Sequence, residues 1–223
     1  MKTNRRHGIP ALCFLLTAAI LSGFLAPRAD ATAADDQEKA LLGTLSASYE
    51  ASSPGTISSG SGDAGGKSYG SYQFSSASNV PKSFFEWCLA SDDTYYQSIG
   101  SRLSEAYYTG SPGYGSLFDA EWKALANENS AGFEQAQRNY VRLRYYEPIV
   151  ERLEEKHSGF SIDNYSIALR NVLWSRAVQL GTGGAAELMD DTFTALGGFA
   201  NQSEAALIAA IYESARTGHE VLL

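Results

Sequence analysis

The sequence predicts a mainly α domain carrying one small Gly/Ser-rich loop or short β-hairpin lobe. Three observations lead there. From Pro81 onward, apolar residues recur every three to four positions in nearly every segment, the spacing that builds a buried face on a helix. Between 51 and 80 that period fails, because Gly60, Gly62, Gly65 and Gly66 crowd among Ser59, Ser61 and Ser68, a composition that no helix holds. Roughly 190 residues follow the N-terminal leader, enough for one domain with a sizeable core, and no repeat or low-complexity linker divides them.

The leader is residues 1–31. Lys2, Arg5 and Arg6 precede an apolar run from Ala11 to Leu25, then Pro27 and the small-residue site Ala29-Asp30-Ala31, the layout of a secretory signal peptide. The run is short for a membrane span. Cys13 lies ahead of most of it, where no lipid anchor would be attached. The domain at 32–223 is therefore expected to be exported without a stable membrane anchor, into the medium or into a periplasm.

Asp35 and Asp36 supply cap signals, and Leu41, Leu42, Leu45 and Tyr49 keep helical spacing until Ser52, Ser53, Pro54 and Gly55 stop it. This predicts a first helix over 32–50, then the lobe at 51–80. Further helices are predicted over 81–90, 94–108, 116–128, 132–156, 163–180, 184–196 and 203–217, with Ser111 to Gly115 as a loop. Pro148 should kink or divide the long fifth segment, since it lacks an amide donor and its ring crowds the preceding turn. In 163–180, Ile167, Trp174 and Val178 share one side while Leu169, Leu173 and Leu180 lie near the other, predicting a central helix buried over most of its circumference.

Chemistry gathers between Glu50 and Gln73. Glu50 sits in the last turn of the first predicted helix, at the edge of its apolar stripe. There the negative end of the helix dipole and partial desolvation both disfavour ionisation, so its carboxyl is expected to stay protonated and to act as an acid. Asp63 lies in a glycine-rich loop whose exposed amides and serines keep it ionised. One protonated and one ionised carboxyl are what cleavage of a glycosidic bond requires. Each residue also has a plainer reading as a solvated cap.

Glu50, the run Gly60-Ser61-Gly62-Asp63-Ala64-Gly65 and the segment Tyr69-Gly70-Ser71-Tyr72-Gln73 together resemble the goose-type lysozyme pattern. They are also similar to the muramidase domain appended to some type VI secretion spike proteins, whose fold is related to chitosanases. The likeness is dense over about one tenth of the chain. It implies a lysozyme-like helical domain with the small lobe beside the active cleft, Glu50 as general acid, Asp63 as base or stabiliser, and Tyr69 and Gln73 in the cleft. Aromatic faces pack on sugar rings, which adds Tyr72 to Tyr69 as a candidate for substrate stacking. Ser175 and Gln179, one turn apart on the central helix, either face that cleft or are polar groups satisfied by backbone. Lytic transglycosylases carry a Tyr-Asn-Ala-Gly segment late in the chain; the nearest stretch here, Ala209 to Arg216, keeps only Tyr212, which leaves room for hydrolysis using Asp63.

Composition narrows the partners. Without the leader's Lys2, Arg5, Arg6, Arg28 and Asp30, 13 of 17 basic and 24 of 25 acidic side chains remain, a formal net charge of −11. Such a chain is not expected to bind nucleic acid. The charge would attract a polycationic glycan such as chitosan, though salt screens this beyond about 8 Å. One cysteine, Cys88, remains; it reads as a small buried hydrophobe and pairs with nothing. Histidines are too few and too scattered for a zinc site or a thiol protease, and no cofactor is implied. The three tryptophans read as core, Lys67 as either local charge balance or a substrate contact, and Glu151, Glu154 and Glu155 as a solvated face. The leading expectation is a monomeric β-1,4-glycan hydrolase acting on peptidoglycan or a related amino-sugar glycan. Chitosanase, lytic transglycosylase and a non-catalytic glycan-binding protein are the alternatives.

Overall fold

Seven α-helices and one hairpin make up the computed structural model over the residues it describes, 42–43, 53–58 and 66–221, with side chains to 217. Glu50 and Asp63 lie outside the described residues. The hairpin pairs β1 (Ser68–Tyr69) with β2 (Phe74–Ser75) in antiparallel register, Ser68 opposite Ser75 and Tyr69 opposite Phe74. The helices are α1 (Val80–Leu89), α2 (Thr94–Tyr108), α3 (Ser116–Glu128), α4 (Ser130–Val141), α5 (Glu147–Lys156), α6 (Ile167–Ala195) and α7 (Glu204–Val221). The described residues form a mainly helical domain with a small hairpin, as the period and the glycine distribution predict.

Local chemistry sets the boundaries. Asp93 caps α2 by accepting from the amides of Tyr95 and Tyr96, and Asn129 caps α4 by accepting from Gly132; each cap satisfies donors that a helix start leaves open. The long segment predicted over 132–156 is resolved into α4, a π-helical turn at Arg142–Tyr146, and α5. The Glu147 amide reaches back five residues to the Arg142 carbonyl. Pro148 follows with no amide to continue the regular ladder, so the register changes there.

Two corrections concern helix limits. Leu42 and Gly43 form a turn, with Gly43 at φ 81°, so an unbroken first helix over 32–50 does not hold at that point. The rest of that predicted helix lies outside the described residues. The predicted helices 163–180 and 184–196 run on as α6, preceded by a short 3-10 turn at Ile162–Asn164. Gly181, at φ 68° and ψ 174°, still breaks the helical path between the two halves. Leu180, next to that break, is exposed rather than buried.

The core is aromatic. Phe84 of α1, Trp122 of α3, Phe133 and Tyr140 of α4, and Phe74 of β2 meet in edge and tilted pairs with ring centroids 5.0–6.3 Å apart. Such pairs add about 0.5–1.5 kcal/mol each beyond the area they bury. Cys88 is fully buried, and burial pushes its thiol well above the ordinary range, as expected of a small core hydrophobe. Trp122 and Trp174 are fully buried and Trp87 half-buried, while Glu151, Glu154 and Glu155 are exposed.

Helices α5 and α6 are joined by a charged contact. Asp190 of α6, its side chain only 6% exposed, accepts from Lys156 at 2.8 Å, His157 at 3.0 Å and Arg152 at 3.2 Å. Burial alone would raise its carboxyl. Hydrogen bonds from Lys156 and His157, with the charges of Lys156 and Arg152, outweigh that and hold it below the usual aspartate range. A depressed carboxyl stabilises the fold fully above the unfolded value near 4 and ceases to do so as pH falls through the lower folded value. Asp190→Asn is therefore expected to cost about 1.5–3 kcal/mol at pH 7, and thermal melts of the two proteins should converge as pH falls below about 4. A melting difference that does not change between pH 7 and pH 3 would exclude an ionised Asp190 as the cause.

Candidate functional site

The hairpin is extended on one side by residues 53–58. Ile57 pairs with Tyr69, the Gly70 amide donates to the Thr56 carbonyl at 2.8 Å, and the Ser58 amide donates to the Ser68 carbonyl at 2.9 Å. The Ser58 hydroxyl accepts from the Ser68 amide at 2.7 Å. Ser58 and Gly66 flank in sequence the stretch that contains Asp63. Ser53 stands three positions after Glu50. The described residues that follow Glu50 and that flank Asp63 in sequence thus belong to one small frame.

That frame is fixed to the helices by a buried clamp. The Pro54 carbonyl accepts from the Trp122 indole at 2.8 Å and from the Gln137 amide at 3.0 Å, while the Gln137 carbonyl oxygen accepts from the Ser71 amide at 3.0 Å. Gln137 is fully buried. It joins the 53–58 segment, the hairpin turn and α4 through one side chain. Gly70 makes this approach possible: it lies at φ 75°, and a Cβ there would stand 2.2 Å from the Gln137 oxygen.

A second anchor is ionic. Asp119 of α3 accepts from the Tyr69 hydroxyl at 2.6 Å and from the Lys67 ammonium at 2.6 Å, and Lys67 also donates to the Tyr114 carbonyl at 3.0 Å. Burial, then the hydrogen bond and charge of Asp119, push the Tyr69 hydroxyl far above the usual tyrosine range, so it stays a proton donor. Lys67 therefore balances local charge, as one of its two readings has it.

The sequence-predicted site residues divide. Glu50 and Asp63 are outside the described residues. Tyr69 is completely buried against Phe118 and Trp122, and Tyr72 is 4% exposed, packed on Phe74 and Trp174. Their ring faces are covered by protein and are not open for stacking on a sugar; both lie within the support of the lobe. Gln73 is half-buried in the left-handed region at φ 51° and donates to the Gly70 carbonyl at 3.0 Å, shaping the hairpin turn. Gln179 lies on α6, more than one turn beyond the Trp174 that touches Tyr72, and is exposed, so of its two readings the buried amide does not hold. Upstream, the Gly43 amide donates to the Asn171 side chain at 3.2 Å, and Gly43 stands directly against the Trp174 indole.

Three supporting residues were not singled out by sequence. Asp119 reads as an ordinary first-turn acid, and Trp122 as core without a stated polar task. Gln137 did leave a signal: it stands four residues after Phe133 and three before Tyr140, a lone amide inside an apolar stripe, where its polar atoms must find partners. Beside the frame, a shallow groove of about 450 Å³ runs between Ser53, Pro54 and Gly55 and the C-terminal half of α3, where Lys123, Ala126 and Asn127 line it. Among the described residues no cluster of His, Cys, Asp and Glu suits a metal ion, and no helix is long and apolar enough to cross a membrane.

The helical domain with its small hairpin is the type expected of a lysozyme-like protein. The chain belongs to the family described as type VI secretion system spike protein VgrG3-like, C-terminal, which it matches over residues 42–222. It is similar to the type VI secretion system spike protein VgrG3 of Vibrio cholerae serotype O1, at 29% identity over 142 residues. That match covers 63% of this chain and 12% of the VgrG3 protein.

Gly70→Ala tests the clamp from the lobe side. A side chain in the left-handed region, pressed on a buried amide, is expected to cost about 2–4 kcal/mol. Chemical denaturation should show a lowered midpoint. An unchanged midpoint would mean that the lobe does not need the approach of Gly70 to Gln137.

Proposed function

We propose that the protein is an exported glycoside hydrolase that cleaves β-1,4 linkages of peptidoglycan. Residues 1–31 are its secretory signal and the remainder is one catalytic domain. Glu50 is the general acid, donating a proton to the leaving oxygen, and Asp63 is the base that activates water or the carboxylate that stabilises positive charge on the sugar. The observation that supports this reading is the shared frame: the described residues that neighbour the two candidate carboxyls in sequence belong to one hairpin frame clamped to the helices. Membership of the VgrG3-like C-terminal family and the resemblance of the 50–73 stretch to muramidases support the same substrate class. The reaction draws on two carboxyls and water, with no cofactor. Tyr69, Tyr72 and Gln73 act as positioning residues that hold the lobe, and Gln179, exposed on α6, remains the substrate-binding candidate among the residues predicted for that role.

Separation of the two carboxyls sets the stereochemistry, about 5–5.5 Å for retention and 6.5–9.5 Å for inversion. The acidity of the domain favours one second reading, hydrolysis of chitosan, because a net charge of −11 after loss of the leader attracts a cationic polymer.

Mass spectrometry of soluble products from purified peptidoglycan decides between these. Wild type is expected to release muropeptides with reducing ends, and Glu50→Gln to do so about 10²–10⁴-fold more slowly while keeping its fold. Full activity of Glu50→Gln would remove Glu50 as the acid. Anhydro-muropeptides would identify a transglycosylase with no need of Asp63, and products from chitosan alone would favour the second reading.

A further inference from the structure

The groove beside 53–55 has an electrostatic feature that the proposed chemistry does not use. Helix α3 carries three carboxylates, and two cations from elsewhere in the domain contact all three. Asp119 is bound by Lys67 at 2.6 Å. Glu121 and Glu128 are both bound by Arg102 of α2, at 2.5 Å and 2.6 Å, the latter through a two-pronged contact. The one cation of α3, Lys123, makes no ion pair or hydrogen bond among the described residues, and it lines the groove. Among the described residues the remaining lining is uncharged: Ser53, Pro54, Gly55, Ala126, Asn127 and the hydroxyl-bearing Ser130. In a domain of net charge −11, this concave, largely polar surface thus presents one ammonium that forms no ion pair among the described residues.

Position gives this charge a use. The groove wall formed by Ser53, Pro54 and Gly55 begins three positions beyond Glu50, and the Pro54 carbonyl is fixed by Trp122 and Gln137. Gly55 lies hard against α3, where a Cβ would stand 2.8 Å from the Ala126 methyl. The wall therefore cannot close onto Lys123 or drift from it without breaking the clamp. A glycan chain lying in this groove would meet hydroxyl and amide groups that hydrogen-bond sugars, and one ammonium able to pair with a carboxylate.

We propose that this groove is a subsite for an anionic substituent of the glycan, a carboxylate carried on the sugar or on a peptide attached to it, with Lys123 as its counter-charge. The inference rests on the reading of the protein as one that acts on peptidoglycan, and it gives that reading a determinant of specificity. An acidic domain repels an anionic polymer at long range, and a local cation offsets this at contact distance. A polycationic chitosan chain gains nothing from Lys123.

Co-sedimentation with insoluble peptidoglycan tests this independently of turnover. Two preparations serve as probes, native sacculi and the same sacculi with their carboxyl groups amidated. Lys123→Ala is expected to weaken binding to native sacculi about fivefold, to leave binding to amidated sacculi unchanged, and to be rescued by Lys123→Arg. Lys123 is exposed, and the fold is expected to tolerate each change. Equal loss on both preparations with Lys123→Ala, no loss on native sacculi, or absence of binding to either would overturn the subsite. Lys123-dependent binding without soluble products would support the subsite while removing the hydrolytic reading, so the two fail separately.

Discussion

A single carbonyl oxygen, that of Pro54, receives two buried donors, the Trp122 indole and the Gln137 amide. Each such hydrogen bond is worth only about 1 kcal/mol net, but a buried donor left without its acceptor costs about 1–3 kcal/mol. That asymmetry makes the contact restrictive. Moving the 53–58 segment by an ångström would strand an indole N–H, an amide N–H and a carbonyl inside an aromatic core. The position of the chain just after Glu50 is thereby set by α3 and α4 rather than by its own loop.

The hairpin needs this support. Two strands of two residues have almost no stability of their own in water, and the turn between them places both Gly70 and Gln73 in the left-handed region. What holds it is side-chain chemistry from the helices: Gln137 on the turn, Asp119 on Tyr69 and Lys67, and the aromatic contacts of Phe74 and Tyr72. Side chains of the helices thus fix a hairpin that its own two short strands would not hold. The same helices leave Lys123 without an ion pair among the described residues, beside that frame. Placement of charge and placement of the lobe are two consequences of how α3 is packed.

Legibility in the sequence followed the physics of each element. Helices α1 to α3 announce themselves by period and by their punctuation at Pro81, Asp93 and Gly115, because a helix on a core writes its spacing into the chain. The break at Gly181 and the irregularity ahead of Pro148 were legible for the same reason, although period alone does not distinguish a π turn from a kink. The turn at Gly43 was not legible: the leucines around it keep helical spacing, and it is a tertiary fit against Trp174 that uses the left-handed glycine. The tyrosines misled because an aromatic beside a candidate cleft has the same letter whether its face is open or covered. Tyr69 and Tyr72 went inward because the core had rings to receive them. Gln137, an amide on an apolar stripe, was the readable clue to the clamp.

Native-state hydrogen exchange on wild type and Gln137→Leu measures the dependence of the lobe on the clamp most directly. Loss of the Gln137 amide should lower protection of the Ser58, Gly70 and Ser71 amides by about 10–100-fold, the equivalent of one or two buried hydrogen bonds, while amides in the middle of α6 keep theirs. Unchanged protection across the lobe, or an equal fall throughout the helices, would contradict a lobe whose geometry is set by the Pro54 carbonyl and its two donors.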